Sequence, residues 1–232
     1  MKTSDLHQHG VNLREGEKYL EALEVLTKTM ERYIEESNYE GLVDALKDRC
    51  LCWKHLLLLK HEVGFKILAQ KDAEAMLAVS LERSLTGKLA TSYFRLGEMA
   101  IEDKNYKLGI TCYKKAIKYY PHPDAELGDY TYHLGEALFR AGNKSSGKKK
   151  ILEGIKILKQ YQDNTDSFVL GVWLSGAYGR LADLLIDDEP DEALKYLKIA
   201  WKRVLSDKRL RIRKRQIEAL IKKFETRGVK IV

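Results

Sequence analysis

Between Thr91 and Pro121 the chain reads TSYFRLGEMAIEDKNYKLGITCYKKAIKYYP, and no other stretch restricts the fold as much. Tyr93, Leu96, Gly97 and Ala100 recur at spacings of three and four, which gathers them on one side of a helix. A polar break, Glu102-Asp103-Lys104-Asn105, leads to Tyr106, Gly109, Tyr113, Ala116 and Ile117 at the same kind of spacing, and Pro121 stops the run. Two antiparallel amphipathic helices follow. Large residues (Tyr93, Leu96, Tyr113) alternate with small ones (Gly97, Gly109, Ala116), so one helix can lie in the groove of the other at short interaxial distance.

With these residues the stretch resembles a tetratricopeptide repeat (TPR) unit, whose signature is an aromatic, Leu-Gly, then Ala, aromatic and Pro at set offsets. Gly109 stands where Ala is usual and Ala100 where Tyr is usual. Residues 4 to 36 repeat the layout, with Gly10, Tyr19, Ala22 and Leu26 at the offsets of Gly97, Tyr106, Gly109 and Tyr113. After His122-Pro123-Asp124, where Pro suits the first helical position, Leu134-Gly135 and Leu138 repeat Leu96-Gly97 and Ala100. Gly147, Ile151 and Gly154 then stand where Gly109, Tyr113 and Ala116 stood. Gly135 follows Gly97 by 38 residues, more than the usual period of about 34, so the units are stretched.

Two further pairs rest on periodicity. Residues 39 to 83 give one helix with Leu42, Ala45, Leu46, Cys50, Trp53 and Leu57 on a face, a break near Gly64, and a second helix from Ile67 to Leu81. The Leu56 to Leu59 run predicts burial on several sides at the end of the first. Residues 167 to 206 give a fifth pair, turned at Asp187 to Pro190. Ser167 to Gly179 carries no charge, which predicts a helix buried all round, by neighbouring repeats or by a dimer or ligand contact. A last amphipathic helix has the stripe Leu210, Ile217, Leu220, Ile221 and Phe224. The expected fold is all-α: a right-handed α-solenoid of about five TPR-like hairpins over residues 1–206, with a basic C-terminal capping helix over 207–232.

Three prolines in 232 residues, and no long period-two alternation, agree with an all-helical chain. The longest aliphatic run, Leu56 to Leu59, is too short to span a bilayer, and MKTSDLHQHG has no apolar signal core, so a cytoplasmic protein without a membrane partner is expected. Cys50, Cys52 and Cys112 are odd in number and lack metal or disulfide spacing, and they read as small buried hydrophobes. The net charge of +7 is uneven: Lys202 to Val232 holds twelve Lys and Arg against Asp207, Glu218 and Glu225.

No catalytic motif emerges, so a non-enzyme without cofactor or metal is expected. Gly142 to Lys149 satisfies G-x-x-x-x-G-K but has Lys149 where a phosphate loop needs the magnesium-binding hydroxyl, and it joins two helices. The resemblance implies a protein-binding scaffold or adaptor, because the first helices of successive TPR units line a concave groove for a peptide or partner helix. Carried over by offset, the groove positions are Phe94, Glu98, Ile101 and Glu102, then Asp129, Tyr132, Glu136, Phe139 and Arg140, with Asp183 and Asp187 from the fifth pair. Such a lining would favour a basic or amphipathic segment, or its charges would merely solvate the helices. Chaperone-clamping TPR domains use Asn and Lys or Arg at positions where this chain has Val11, Glu98 and Glu136, and a C-terminal carboxylate would be repelled here. A homo-dimer is compatible with the uncharged helix. The alternative function is nucleic-acid binding through Arg209, Arg211, Arg213 and Arg215, although that stretch has no aromatic residue to stack on bases.

Overall fold

The structure is a computed structural model and describes residues 1–229. Among the described residues it is all-α, with eleven α-helices and a single 3-10 turn at Gln162–Asn164. The chain divides into two compact units, Met1–Tyr120 and a second that begins at Pro121. The expected boundary at residue 206 falls inside the second unit. The basic C-terminal segment belongs to the second unit as far as Val229, and residues 230 to 232 of the expected capping region lie outside the described residues.

The first unit holds three hairpins, α1 (Thr3–Glu15) with α2 (Tyr19–Glu35), α3 (Tyr39–Lys60) with α4 (Val63–Glu82), and α5 (Thr86–Glu102) with α6 (Tyr106–Tyr119). Each pairs internally, and α2 packs on α3 and α4 on α5, so successive hairpins stack. The second unit holds α7 (Ala125–Arg140) with α8 (Lys144–Gln160), then α9 (Ser167–Leu185) with α10 (Pro190–Leu205), and α11 (Arg211–Glu225). Here α7, α8, α10 and α11 all pack on α9. That explains the uncharged run: α9 has the length and composition of a membrane span, yet Leu174, Ala177 and Leu181 are fully buried in the core of this unit.

Turns close in a recurrent way. Asn38 and Asn105 cap α3 and α6 by accepting from Gly41 N and Leu108 N, and Asp166 caps α9. Asp124 caps α7, which leaves Pro123 one residue outside the helix, whereas Pro190 does open α10. The residue that reverses the chain is left-handed at Glu17, Ser37, His61, Ser84 and Lys104, and only the α7–α8 turn places a glycine there, Gly142. A side chain in that region costs about 1 kcal/mol. Exposed Lys104 should therefore accept glycine with a gain of about 1 kcal/mol, read as a higher urea midpoint. A lower midpoint for Lys104→Gly would show that this side chain supports the turn.

The break between α3 and α4 falls at His61-Glu62, and Gly64 lies in the first turn of α4. The expected burial of Leu56 to Leu59 holds only for the first of them, since Leu58 and Leu59 are more than 40 % exposed. The cause is helix length. Asp48 of α3 meets Arg14 near the end of α1, and Lys54 meets Glu98 near the end of α5, so the last turn of α3 runs past both neighbours. Cys50, Cys52 and Cys112 are buried free thiols, and burial pushes the first two up to about 12.

Candidate functional site

Each face of the repeats follows from helix order. The first helices of the hairpins, α1, α3 and α5 in one unit and α7 and α9 in the other, carry the expected groove positions. In the first unit Phe94 is buried against Tyr113, with ring centroids 5.5 Å apart. Glu98 accepts from both Lys54 and Arg95, one hairpin back and one turn back. Glu102 ends α5 exposed, and among the described residues it has no ion-pair or hydrogen-bond partner.

In the second unit Asp129, Tyr132, Glu136 and Phe139 are all buried. Glu136 accepts from Arg140 at 2.8 Å and Arg180 at 3.1 Å. Arg140 also reaches Asp183 of α9 at 3.2 Å, and Lys223 of α11 reaches the same carboxylate at 2.6 Å. Asp187 pairs with Arg227 at 2.8 Å. Burial would raise the pKa of Asp183, but the hydrogen bond and charge of Lys223, with the charges of Arg140 and Arg180, outweigh it and hold the carboxyl below its ordinary value. Burial and the neighbouring Asp129 push the Tyr132 hydroxyl well up. Glu98, Glu136, Asp183 and Asp187 are thus each neutralised by neighbouring bases, and Asp129 and Glu136 are buried. The physical reason is the stacking itself: a charge on one first helix faces a charge on the next, and each rung is an ion pair.

Residues 91–123 match the family model of the tetratricopeptide repeat. The solved structure of a Podosopora anserina putative kinesin light chain with nearly identical TPR-like repeats is 13 % identical, with 95 % of each chain covered and a TM-score of 0.52. A single-substitution form of that protein is 12 % identical, covering 90 % of this chain and 99 % of that one, with a TM-score of 0.53. The fold is TPR-like. No curated protein matches the chain in sequence.

The TPR-like layout also places the remaining candidates. Gly142 to Lys149 is the turn between the two helices of a hairpin and the start of α8, with Lys144 paired to Asp188 and Lys148 to Glu189 and Glu192. Of Arg209, Arg211, Arg213 and Arg215, Arg211 and Arg215 lie one turn apart on α11 and are exposed on the same side of it. Arg209 lies in the turn before α11, bound to Asp207 at 2.7 Å and over the Phe168 ring, while Arg213 is half-buried against Gln216. Among the described residues no group of three or more His, Cys, Asp or Glu is placed to hold a metal ion. Reasoning from sequence missed the lysines of the second helices α8 and α10. Lys195, Lys198 and Lys202, at steps of three and four with no acid between them, were the available signal.

Proposed function

We propose that the chain is a non-catalytic protein-binding scaffold in which the first-helix face of the Met1–Tyr120 unit receives an amphipathic segment of a partner protein, the same kind of face being built separately in the second unit. TPR repeats in general mediate interactions between proteins, and the fold is of that kind. The observation that carries the finer reading is the ladder of ion pairs between successive first helices, Lys54 with Glu98 and Arg140 with Asp183. It fixes long side chains before any partner arrives, so little ordering entropy is spent on binding. Because most acids on this face are already neutralised, apolar and hydrogen-bonding contacts supply the affinity. A basic residue of the partner finds its unpaired counter-charge at Glu102.

The test is a pull-down from native cell extract with the full chain and with Glu102→Lys, each washed at low and high salt. A discrete protein retained through high salt, and reduced about fivefold or more by Glu102→Lys, is the expected result. Equal retention by both proteins would remove Glu102 from the binding face. Capture of nucleic acid alone, lost at high salt, would overturn the scaffold reading.

A further inference from the structure

The second helices of the second unit carry charge in a way that solvation does not require. Helix α8 has six lysines and a single acid, Glu153; α10 has Lys195, Lys198, Lys202 and Arg203, with its acids confined to Asp191 and Glu192 in the first turn. A solvated face is normally of mixed sign. Helix α2, also a second helix, meets the same need with Lys28 and Arg32 against Glu21, Glu24, Glu31 and Glu35.

Four acids near α8 and α10 are already used, while Asp191, in the first turn of α10, is exposed. Glu153 takes Lys150 at 2.8 Å, Asp188 takes Lys144, and Glu189 and Glu192 both take Lys148 at 2.6 Å. The Lys148–Glu192 contact also sets the N-terminal turns of α8 and α10 side by side. Lys149, Lys156, Lys195, Lys198 and Lys202 are exposed and, among the described residues, have no acidic partner. Leu152, Ile199 and Leu205 lie among them, 38 to 55 % exposed. At the α8 end a cleft of about 520 Å³ is bounded by Phe139 and Leu152 and rimmed by Lys144 and Lys148, paired there with the lining acids Asp188 and Glu189, and by Lys149, which has no acidic partner among the described residues.

We propose that this α8–α10 face is a second docking surface, and that its occupant is an acidic amphipathic protein segment with a large apolar residue that enters the cleft beside Phe139 and Leu152. Charge complementarity sets the sign of the partner. The apolar features set its class. A nucleic-acid backbone would use the lysines but leave Leu152, Ile199, Leu205 and the cleft without a role, and the α10 aromatics Tyr196 and Trp201 are partly buried against the core of the unit. An anionic bilayer is a flat plane and leaves a recessed cleft empty. A peptide chain can place carboxylates on the lysines and one large side chain in the recess.

The probe is a short fluorescein-labelled peptide in which glutamates flank a Leu-Trp pair, titrated with the full chain by fluorescence anisotropy near physiological salt. An all-glutamate peptide, duplex DNA and phosphatidylserine vesicles serve as competitors. The Leu-Trp peptide should bind most tightly. The combined Lys195→Glu, Lys198→Glu and Lys202→Glu substitution should weaken it about tenfold or more, and Leu152→Ser should abolish its advantage over the all-glutamate peptide. These side chains are exposed, so the helical signal should persist. Glu102→Lys, in the other unit, should leave this binding unchanged, which separates the proposal from the first-helix reading. Equal affinity for the triple variant, no advantage of the Leu-Trp peptide, or tighter binding of DNA or vesicles would each overturn it.

Discussion

Replacing Gly135 or Gly147 by Ala should destabilise the second unit by about 2 to 3 kcal/mol, although Ala is the better helix former by about 1 kcal/mol. Helices α7 and α8 touch backbone to backbone. A Cβ on Gly135 would lie 2.6 Å from Ile151 N and 2.8 Å from Gly147 O, and one on Gly147 would lie 2.5 Å from Phe139 N. Gly128 and Gly154 continue the seam, each Cβ falling within 2.8 Å of the other's carbonyl oxygen. Backbone atoms cannot rotate away, so the helices must separate and the packing of Ile151 and Leu158 is lost with the contact. The control is Gly109 of α6, where a Cβ would meet chiefly Ile101, its nearest atom being the side-chain end Cδ1 at 2.6 Å. There the strain and the helix-propensity gain should nearly cancel. Urea unfolding, with hydrogen exchange resolved over α7 and α8, reads the difference. Stability of Gly135→Ala within about 0.5 kcal/mol of the parent would show that the seam is not tight.

That seam was half legible in the sequence. Gly135, Gly147 and Gly154 could be matched to Gly97, Gly109 and Ala116, because a helix pair writes its contacts into spacings of three and four. Gly128 carried no such mark, lying two turns before the recognisable Leu-Gly pair. The hairpins were readable for the same local reason, with their breaks at Glu102 to Asn105 and at Asp187 to Pro190. What one helix does to the helix of the next hairpin was not. In the sequence Glu98 and Asp183 stand only as acidic groove positions, yet their partners Lys54 and Arg140 stand 44 and 43 residues earlier. No local pattern connects such pairs. A single repeat shift does connect them, since Lys88 with Asp44, Lys144 with Asp188 and Lys148 with Glu192 are each also 44 residues apart. The exposure of Leu58 and Leu59 was hidden too, because it depends on how far α3 outruns its neighbours and not on its own composition.

The same ladder makes a second large effect in the first unit: Asp48→Asn should cost about 3 kcal/mol. Asp48 is 5 % exposed and accepts from the buried Arg14 of α1 and from His7 Nε2 at 3.0 Å, while His7 Nδ1 faces the Tyr33 hydroxyl at 3.3 Å. An amide keeps the shape but leaves Arg14 with only Glu15, at the solvent edge, as counter-charge. Burial alone would raise the Asp48 carboxyl; the hydrogen bond from His7 and the charges of Lys47, Arg14 and His7 outweigh it and bring it from 3.8 down to about 2. A depressed carboxyl contributes stability that is complete above its unfolded value and disappears as pH falls through the folded one. The contribution of Asp48 is therefore full above about pH 4 and lost toward pH 2, and it amounts to about 2 kcal/mol. Other carboxylates titrate in the same range, Asp183 and Glu192 among them, so the informative quantity is the difference between parent and variant. Urea midpoints measured from neutral pH to about pH 2.5 should show a gap between the two proteins that narrows below pH 4. A gap that stays constant would mean that Asp48 is held by packing and not by its charge, and the rungs between first helices would then be spacers without electrostatic weight.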